Sequence, residues 1–272
     1  MHAIPPATVL AGVRLFLLDM DGTFYLGDRL LPGACEFLAK MGRGRWDYLF
    51  LTNNSSRDAA AYAEKMARLG LAVGAEKILT SGEATIRYLH AHHPGARVFL
   101  LGTPALEGEF RRAGISLVED APDLVVLGFD LTLTYRKLER ACTFIRRGAG
   151  FIATHPDLNC PTEDGFIPDA GAMIAFIRAA TGAEPKVIGK PHPEMIAAAS
   201  AKTGVPAAAM AMIGDRLYTD VAMGKEAGIK TVLVLTGETK KEDLAASPFR
   251  PDLVAASLLE VVGWLEEMEG GC

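Results

Sequence analysis

Two aspartates one residue apart, Asp19 and Asp21, stand in the run Asp19-Met20-Asp21-Gly22-Thr23, directly after the apolar segment Arg14–Leu18. Carboxylates leaving a hydrophobic strand are costly to bury unless a cation sits between them or one stays protonated. An Asp-Gly turn capping the next helix is the alternative. A second acidic pair has the same setting. Asp215 leaves the apolar run Met210–Ile213, and Asp220 follows five residues later where a helix should start. Acids so placed can ligate Mg²⁺, which takes oxygen ligands and keeps several waters. They can equally be helix caps.

Two further polar clusters carry the complementary chemistry. Thr52-Asn53-Asn54-Ser55 follows the apolar run Tyr48–Leu51. A hydroxyl and successive N–H groups entering a helix suit an anion, although read alone the segment is first of all a helix cap. Gly189-Lys190-Pro191 precedes His192-Pro193. The prolines restrict the backbone around Lys190, which could hold it as a fixed charge toward phosphate or carboxylate. Alone it reads as a loop lysine, and His192 reads as a turn residue.

These clusters need elements to hold them. Strand-like runs occur at Arg14–Leu18, Tyr48–Leu51, Arg97–Leu101, Leu124–Leu127, Phe151–Thr154, Met210–Ile213 and Thr231–Leu235. They are continuously apolar, as strands covered on both faces are. Helical spacing falls between them at Ala59–Leu69, Tyr135–Arg146, Ala172–Ala180, Pro193–Lys202 and Tyr218–Ala227. Alternation of this kind predicts an α/β fold with a parallel sheet. Turn-rich stretches at Ser81-Gly82 and Gly182–Gly189 are the candidate domain boundaries.

Composition excludes several classes. A net charge of −5, with 28 basic and 33 acidic residues, argues against a nucleic-acid surface. Any anionic substrate must then be held by local positive charge. No segment is apolar enough for a membrane span. The N-terminal stretch lacks a basic region before its apolar residues. Cys35, Cys142, Cys160 and Cys272 show no zinc-site or disulfide spacing, which suits a reducing, cytoplasmic setting. There is no dinucleotide glycine fingerprint, P-loop or H-E-x-x-H motif.

Taken in order, DMDGT, TNNS, GKP and GDRLYTD resemble the four signatures of the haloacid dehalogenase (HAD) superfamily. LLDMDGTFYLGD, FLTNNSS, the ATHPD segment at Ala153–Asp157 and IGDRLYTDVAMGKEAGIKTVLVLTG most resemble its NagD-like, 4-nitrophenylphosphatase-like branch (subfamily IIA). The resemblance runs from about Leu15 to about Asp252. It implies a Rossmann-like core with a parallel sheet, over residues 1–81 and 185–272, and a large inserted α/β cap over 82–184. Such an insertion accounts for the 138 residues between Thr52 and Lys190, against 25 between Lys190 and Asp215.

The resemblance also implies a chemistry. Asp19 attacks phosphorus and forms an aspartyl-phosphate, while Asp21 serves as general acid and then base. Asp19, Asp215 and the backbone carbonyl of Asp21 hold Mg²⁺. Thr52, Asn53, Asn54 and Lys190 hold phosphate, with Asn54 and Asp220 as buttresses. The substrate is a small-molecule phosphate monoester, with 4-nitrophenyl phosphate as an artificial one. Phosphoglycolate, pyridoxal phosphate, nucleotides and sugar phosphates all stay open, as does a homo-oligomeric state. The loop Asn159–Asp164, with Cys160, is the expected cap element over the leaving group. The rival readings are a non-catalytic receiver-like phosphate-binding module and a metal-independent dehalogenase.

Overall fold

A computed structural model describes residues 4–42, 45–162 and 165–270 of the chain. The chain divides into two compact units. One comprises Met1–Leu51, Ala63–Ile78 and Ala199–Cys272, and the other Thr52–Tyr62 and Leu79–Ala198.

The first unit is built on a six-stranded sheet ordered Leu253–Ala255, Lys230–Val234, Met210–Gly214, Leu15–Asp19, Asp47–Thr52, Ile78–Thr80. The strand Leu15–Asp19 pairs in parallel with Met210–Gly214 on one side and Asp47–Thr52 on the other. The chain therefore builds outward in both directions from its first long strand. That creates a topological switch point, where ligands of open α/β sheets bind at the carboxyl ends. Leu15 through Leu18 are fully buried, as the continuous apolar run predicts. Phe16 meets Phe37 edge-on at 5.7 Å and Phe24 meets Phe50 at 4.8 Å. The helix Ala34–Lys40 packs on the C-terminal helix Leu258–Gly270.

The second unit has its own five-stranded sheet, in the order Lys186–Val187, Gly150–Ala153, Leu124–Leu127, Arg97–Leu101, Ser116–Leu117, with every neighbouring pair parallel. Phe99, Leu101, Val125, Leu127, Phe144, Phe151 and Ile177 make its core with the helices Tyr135–Arg146 and Ala170–Thr181. Thr134 and Asp169 cap those two helices with their side chains.

All seven strands expected from apolar runs are present, within a residue or two at their ends. Three local expectations differ. Ser81 and Gly82 are not a turn but the buried first residues of the helix Ser81–His92, which Thr80 caps by accepting from the Glu83 N–H at 3.0 Å. The helix expected over Tyr218–Ala227 begins instead as a wide turn, Leu217–Val221, in which the Val221 N–H reaches back five residues to the Arg216 carbonyl at 3.2 Å. Asn159–Thr162, expected as a loop, forms an antiparallel hairpin with Gly165–Pro168; Glu163 and Asp164 lie outside the described residues. Among the described residues, no helix is long and apolar enough to cross a membrane.

Candidate active site

The register of the first sheet assembles the acids. Leu18 pairs with Ile213, so Asp19 lies level with Gly214, and Asp215 is the next residue out. The wide turn then brings Asp220 back, and its carboxylate accepts the Arg216 N–H at 3.2 Å. Asp19, Asp215 and Asp220 thus offer oxygens that all lie within 4.8 Å of one another. Asp215 and Asp220 are each only 1% exposed. Turns of this width concentrate at functional sites.

Asp215 is held on several sides. Its Oδ2 accepts the Glu238 N–H at 2.7 Å, and the Thr23 hydroxyl lies 3.4 Å from Oδ1. Gly22 has φ +84°, and a Cβ there would stand 2.5 Å from Asp215 Oδ2. Glycine is required on both counts, which gives the glycine of the D-x-D-G run a structural reason. Arg216 pairs with Glu238 at 3.0 Å, and the Tyr218 hydroxyl donates to Glu238 at 2.7 Å. Burial alone would weaken the Arg216 charge. The nearby Asp19, Asp215, Tyr218 and Glu238 outweigh that and hold its pKa above the ordinary guanidinium range.

The Asp21 side chain does not join the acidic group. It is about half exposed, with Lys65 Nζ 4.0 Å away and itself 3.8 Å over the Tyr25 ring. Arg216 and Lys65 are not among the residues expected from the sequence, where Asp220 has only a supporting place. Arg216 lies inside the quoted GDRLYTD run and could have been found there. Lys65 carries no local signal, because it reads as one more polar position on the helix Ala59–Arg68.

In the second unit the structure joins Asn53 to Lys190. Asn53 Oδ1 accepts the Lys190 N–H at 2.8 Å, and Asn53 Nδ2 donates to the Lys190 carbonyl at 2.9 Å. The same Nδ2 lies 3.1 and 3.2 Å from the two oxygens of Asp157. Lys190 is 3% exposed, so it is not a solvated loop lysine. Thr52 Oγ1 accepts the Asn54 N–H at 3.2 Å, and Asn54 Oδ1 accepts the N–H and hydroxyl of Ser56 at 2.9 and 2.7 Å. His192 donates its N–H to the Gly189 carbonyl at 3.0 Å, as a turn residue does.

His155, Asp157 and Asp169 form a further group joined to this network through Asp157, with His155 and Asp169 buried and Asp157 partly exposed. The two ring nitrogens of His155 are taken up by Thr154 Oγ1 and Asp169 Oδ1, each at 2.9 Å. That histidine is fixed by protein partners on both sides.

A parallel α/β sheet with clustered acids at its switch point is the arrangement expected of a HAD-type phosphohydrolase, and comparison with known proteins shows that family. Residues 16–116 match the family described as haloacid dehalogenase-like hydrolase, and residues 187–261 match a second described as HAD-hydrolase-like. An acid sugar phosphatase of Staphylococcus saprophyticus is 34% identical over 255 residues, covering 93% of this chain and 98% of that protein. The crystal structure of a 4-nitrophenylphosphatase from Thermotoga maritima superposes with a TM-score of 0.90 at 49% identity, covering 94% of this chain and 98% of that one. A glycerol phosphate phosphatase from Mycobacterium tuberculosis, solved in complex with magnesium, gives 0.85 at 36% identity, over 92% of this chain and 77% of that one. The chain belongs to the HAD superfamily, in its NagD-like branch (subfamily IIA), and is a hydrolase of phosphoric monoester bonds.

Proposed function

We propose that the protein hydrolyses small-molecule phosphate monoesters through an aspartyl-phosphate on Asp19, in a Mg²⁺-dependent reaction of the cytoplasm. The observation that carries this reading is the group Asp19, Asp215 and Asp220 at the carboxyl end of the central strands. Three carboxylates within 4.8 Å, two of them buried, repel one another unless a cation joins them. Their all-oxygen donor set fits Mg²⁺, and a relative is solved in complex with magnesium. Asp19, Asp215 and the Asp21 carbonyl would hold the ion, with Asp220 beside them. When bound, the ion supplies positive charge against the acids and the phosphoryl oxygens.

The rest is the work of the chain's own groups. An Asp19 oxygen forms the new bond to phosphorus as the ester P–O bond breaks. Asp21 gives its proton to the departing alkoxide, then takes one from the water that releases phosphate and regenerates Asp19. Its exposed position, outside the acidic group, suits exchange with substrate and water. Lys190, the Thr52 hydroxyl and the backbone N–H groups near Asn53 supply charge and hydrogen bonds for the phosphoryl oxygens. The side chains of Asn53 and Asn54 support that segment from within. Residues 82–184 act as the cap that selects the leaving group, with the hairpin about Asn159–Thr162 as its reading element.

Hydrolysis of 4-nitrophenyl phosphate with Mg²⁺, and its loss in excess chelator, tests the reading. Full activity in chelator contradicts it. A panel of sugar, glycerol and nucleotide phosphates then ranks substrates.

A further inference from the structure

We propose that Asp157 is a positioning residue for Lys190, acting through the Asn53 amide. The inference rests on the phosphatase reading above, since it assigns part of the Lys190 function to a residue outside the four signatures. Asp157 closes the ATHPD segment, which no step of the reaction uses.

An asparagine amide has one carbonyl oxygen and two N–H bonds. Asn53 Oδ1 meets the Lys190 N–H at 2.8 Å. One Nδ2 hydrogen meets the Lys190 carbonyl at 2.9 Å, and the other is shared by the two Asp157 oxygens at 3.1 and 3.2 Å. The amide therefore cannot turn over. A flipped amide would set its oxygen against the Asp157 carboxylate and its N–H against the Lys190 N–H. Asp157 thus fixes the orientation of Asn53, and Asn53 grips both backbone polar groups of Lys190.

The same segment reaches the lysine loop a second time, because the Gly189 N–H donates to the Thr154 carbonyl at 2.7 Å. The approach is tight. A Cβ on Gly189 would stand 2.6 Å from both Asn53 Oδ1 and the Thr154 carbonyl oxygen. Behind it, His155 is locked between Thr154 and Asp169, and Asp169 caps the helix Ala170–Thr181. Residues 154–157 are therefore anchored to a helix on one side and to residues 189–190 on the other.

Three variants test this by kcat/KM on 4-nitrophenyl phosphate, each first checked for native circular dichroism. Asp157→Ala removes the acceptor and should lower kcat/KM about tenfold, the equivalent of one hydrogen bond of positional control. Asn53→Asp sets two carboxylates face to face and should lower it about a hundredfold. The double variant Asn53→Asp with Asp157→Asn restores a donor opposite an acceptor but not the donor to the Lys190 carbonyl, and should recover part, about tenfold, of the second loss. A merely structural role would not predict that recovery.

In a Lys190→Ala background, Asp157→Ala should cost nothing further, because its effect runs through the missing ammonium. Folded Asp157→Ala and Asn53→Asp proteins as active as wild type would overturn the positioning role while leaving the phosphatase reading intact. A full tenfold loss persisting without Lys190 would also overturn it. A wild-type protein inert toward 4-nitrophenyl phosphate and the phosphomonoester panel would remove the reading itself.

Discussion

The two units are both parallel α/β sheets, yet Asp130 of the second and the acidic group of the first are buried in different settings. In the second unit Asp130 is 1% exposed, and it has its own cation. Lys137 Nζ lies 2.6 Å away, and the Thr132 N–H and hydroxyl donate to the other carboxylate oxygen at 2.8 and 2.7 Å. In the first unit Asp215 and Asp220 are buried to the same degree but are grouped with a third carboxylate, Asp19. A buried acid paired with one cation is accounted for by folding, whereas three carboxylates gathered at the carboxyl end of the central strands make a candidate site. Burial of charge alone does not mark a site. What marks the acidic group is several carboxylates brought within reach of a single ion.

The sharpest way to break this contrast is at the nucleophile. Asp19→Asn should lower kcat by about 10⁴-fold or more, because an amide cannot form the acyl-phosphate. Its fold should survive, since the change relieves repulsion in the acidic group. Mg²⁺ should raise the wild-type melting temperature by binding the folded state, and should do so much less for Asp215→Ala. Calorimetry and 4-nitrophenyl phosphate assays check both. Near-wild-type turnover by Asp19→Asn would take the nucleophile role away from it.

The mirror experiment is Lys137→Met. It keeps the aliphatic stem but leaves Asp130 buried without its cation, and should destabilise the second unit by about 3 kcal/mol. Denaturant unfolding measures this. The residue is outside the proposed chemistry, so kcat of the folded protein should stay near wild type. A large loss of kcat at unchanged stability would erase the distinction between the two kinds of acid.

Much of this was legible beforehand, for a physical reason. Strands covered on both faces are continuous apolar runs, so the interior strands could be read directly and Asp19 and Asp215 placed at their ends. The edge strands Ser116–Leu117 and Lys186–Val187 are two residues each and exist only through their neighbours. Asp220 joins the acidic group because a turn reaches back five residues, which no local periodicity announces. The Asn53 clamp was equally hidden. A helix cap, a phosphate ligand and a backbone clamp all ask for the same amide, and only the partners at 137 and 104 residues' separation decide among them.

Substrate choice sharpens the comparison further. The chemistry is assigned to groups at the signatures, whereas the hairpin Asn159–Thr162 with Gly165–Pro168 lies within the proposed cap. Phe166 on that hairpin is 76% exposed and has no core role to explain it. Phe166→Ala should shift the ranking of phosphomonoesters by about tenfold between bulky and small leaving groups. Turnover of small esters should hardly change. A uniform loss across the panel would make the hairpin a general lid instead of a reader of the leaving group.

The smallest expected effect tests whether paired acids in the first unit are also structural. Asp252 ties the edge strand Leu253–Ala255 to its neighbour Lys230–Val234. Its Oδ2 accepts the Thr231 N–H and hydroxyl at 2.9 and 2.8 Å, and Lys225 Nζ lies 2.7 Å from Oδ1. Burial pushes its pKa up, but the hydrogen bonds from Lys225 and Thr231 outweigh that and hold it below the usual carboxylate value. A depressed folded pKa means the ionised form stabilises the fold. That contribution is complete above about pH 4, the unfolded value, and fades as pH falls through the lower folded value. Asp252→Asn keeps an acceptor for Thr231 and loses the charge opposite Lys225. Discounted for solvent screening of a partly exposed pair, the loss should be about 1 kcal/mol at neutral pH. Urea unfolding of wild type and variant from pH 7 down to pH 3 should show the two curves converging only below pH 4. A constant gap over that whole range would mean that packing at the strand edge, and not the carboxylate charge, is what Asp252 contributes.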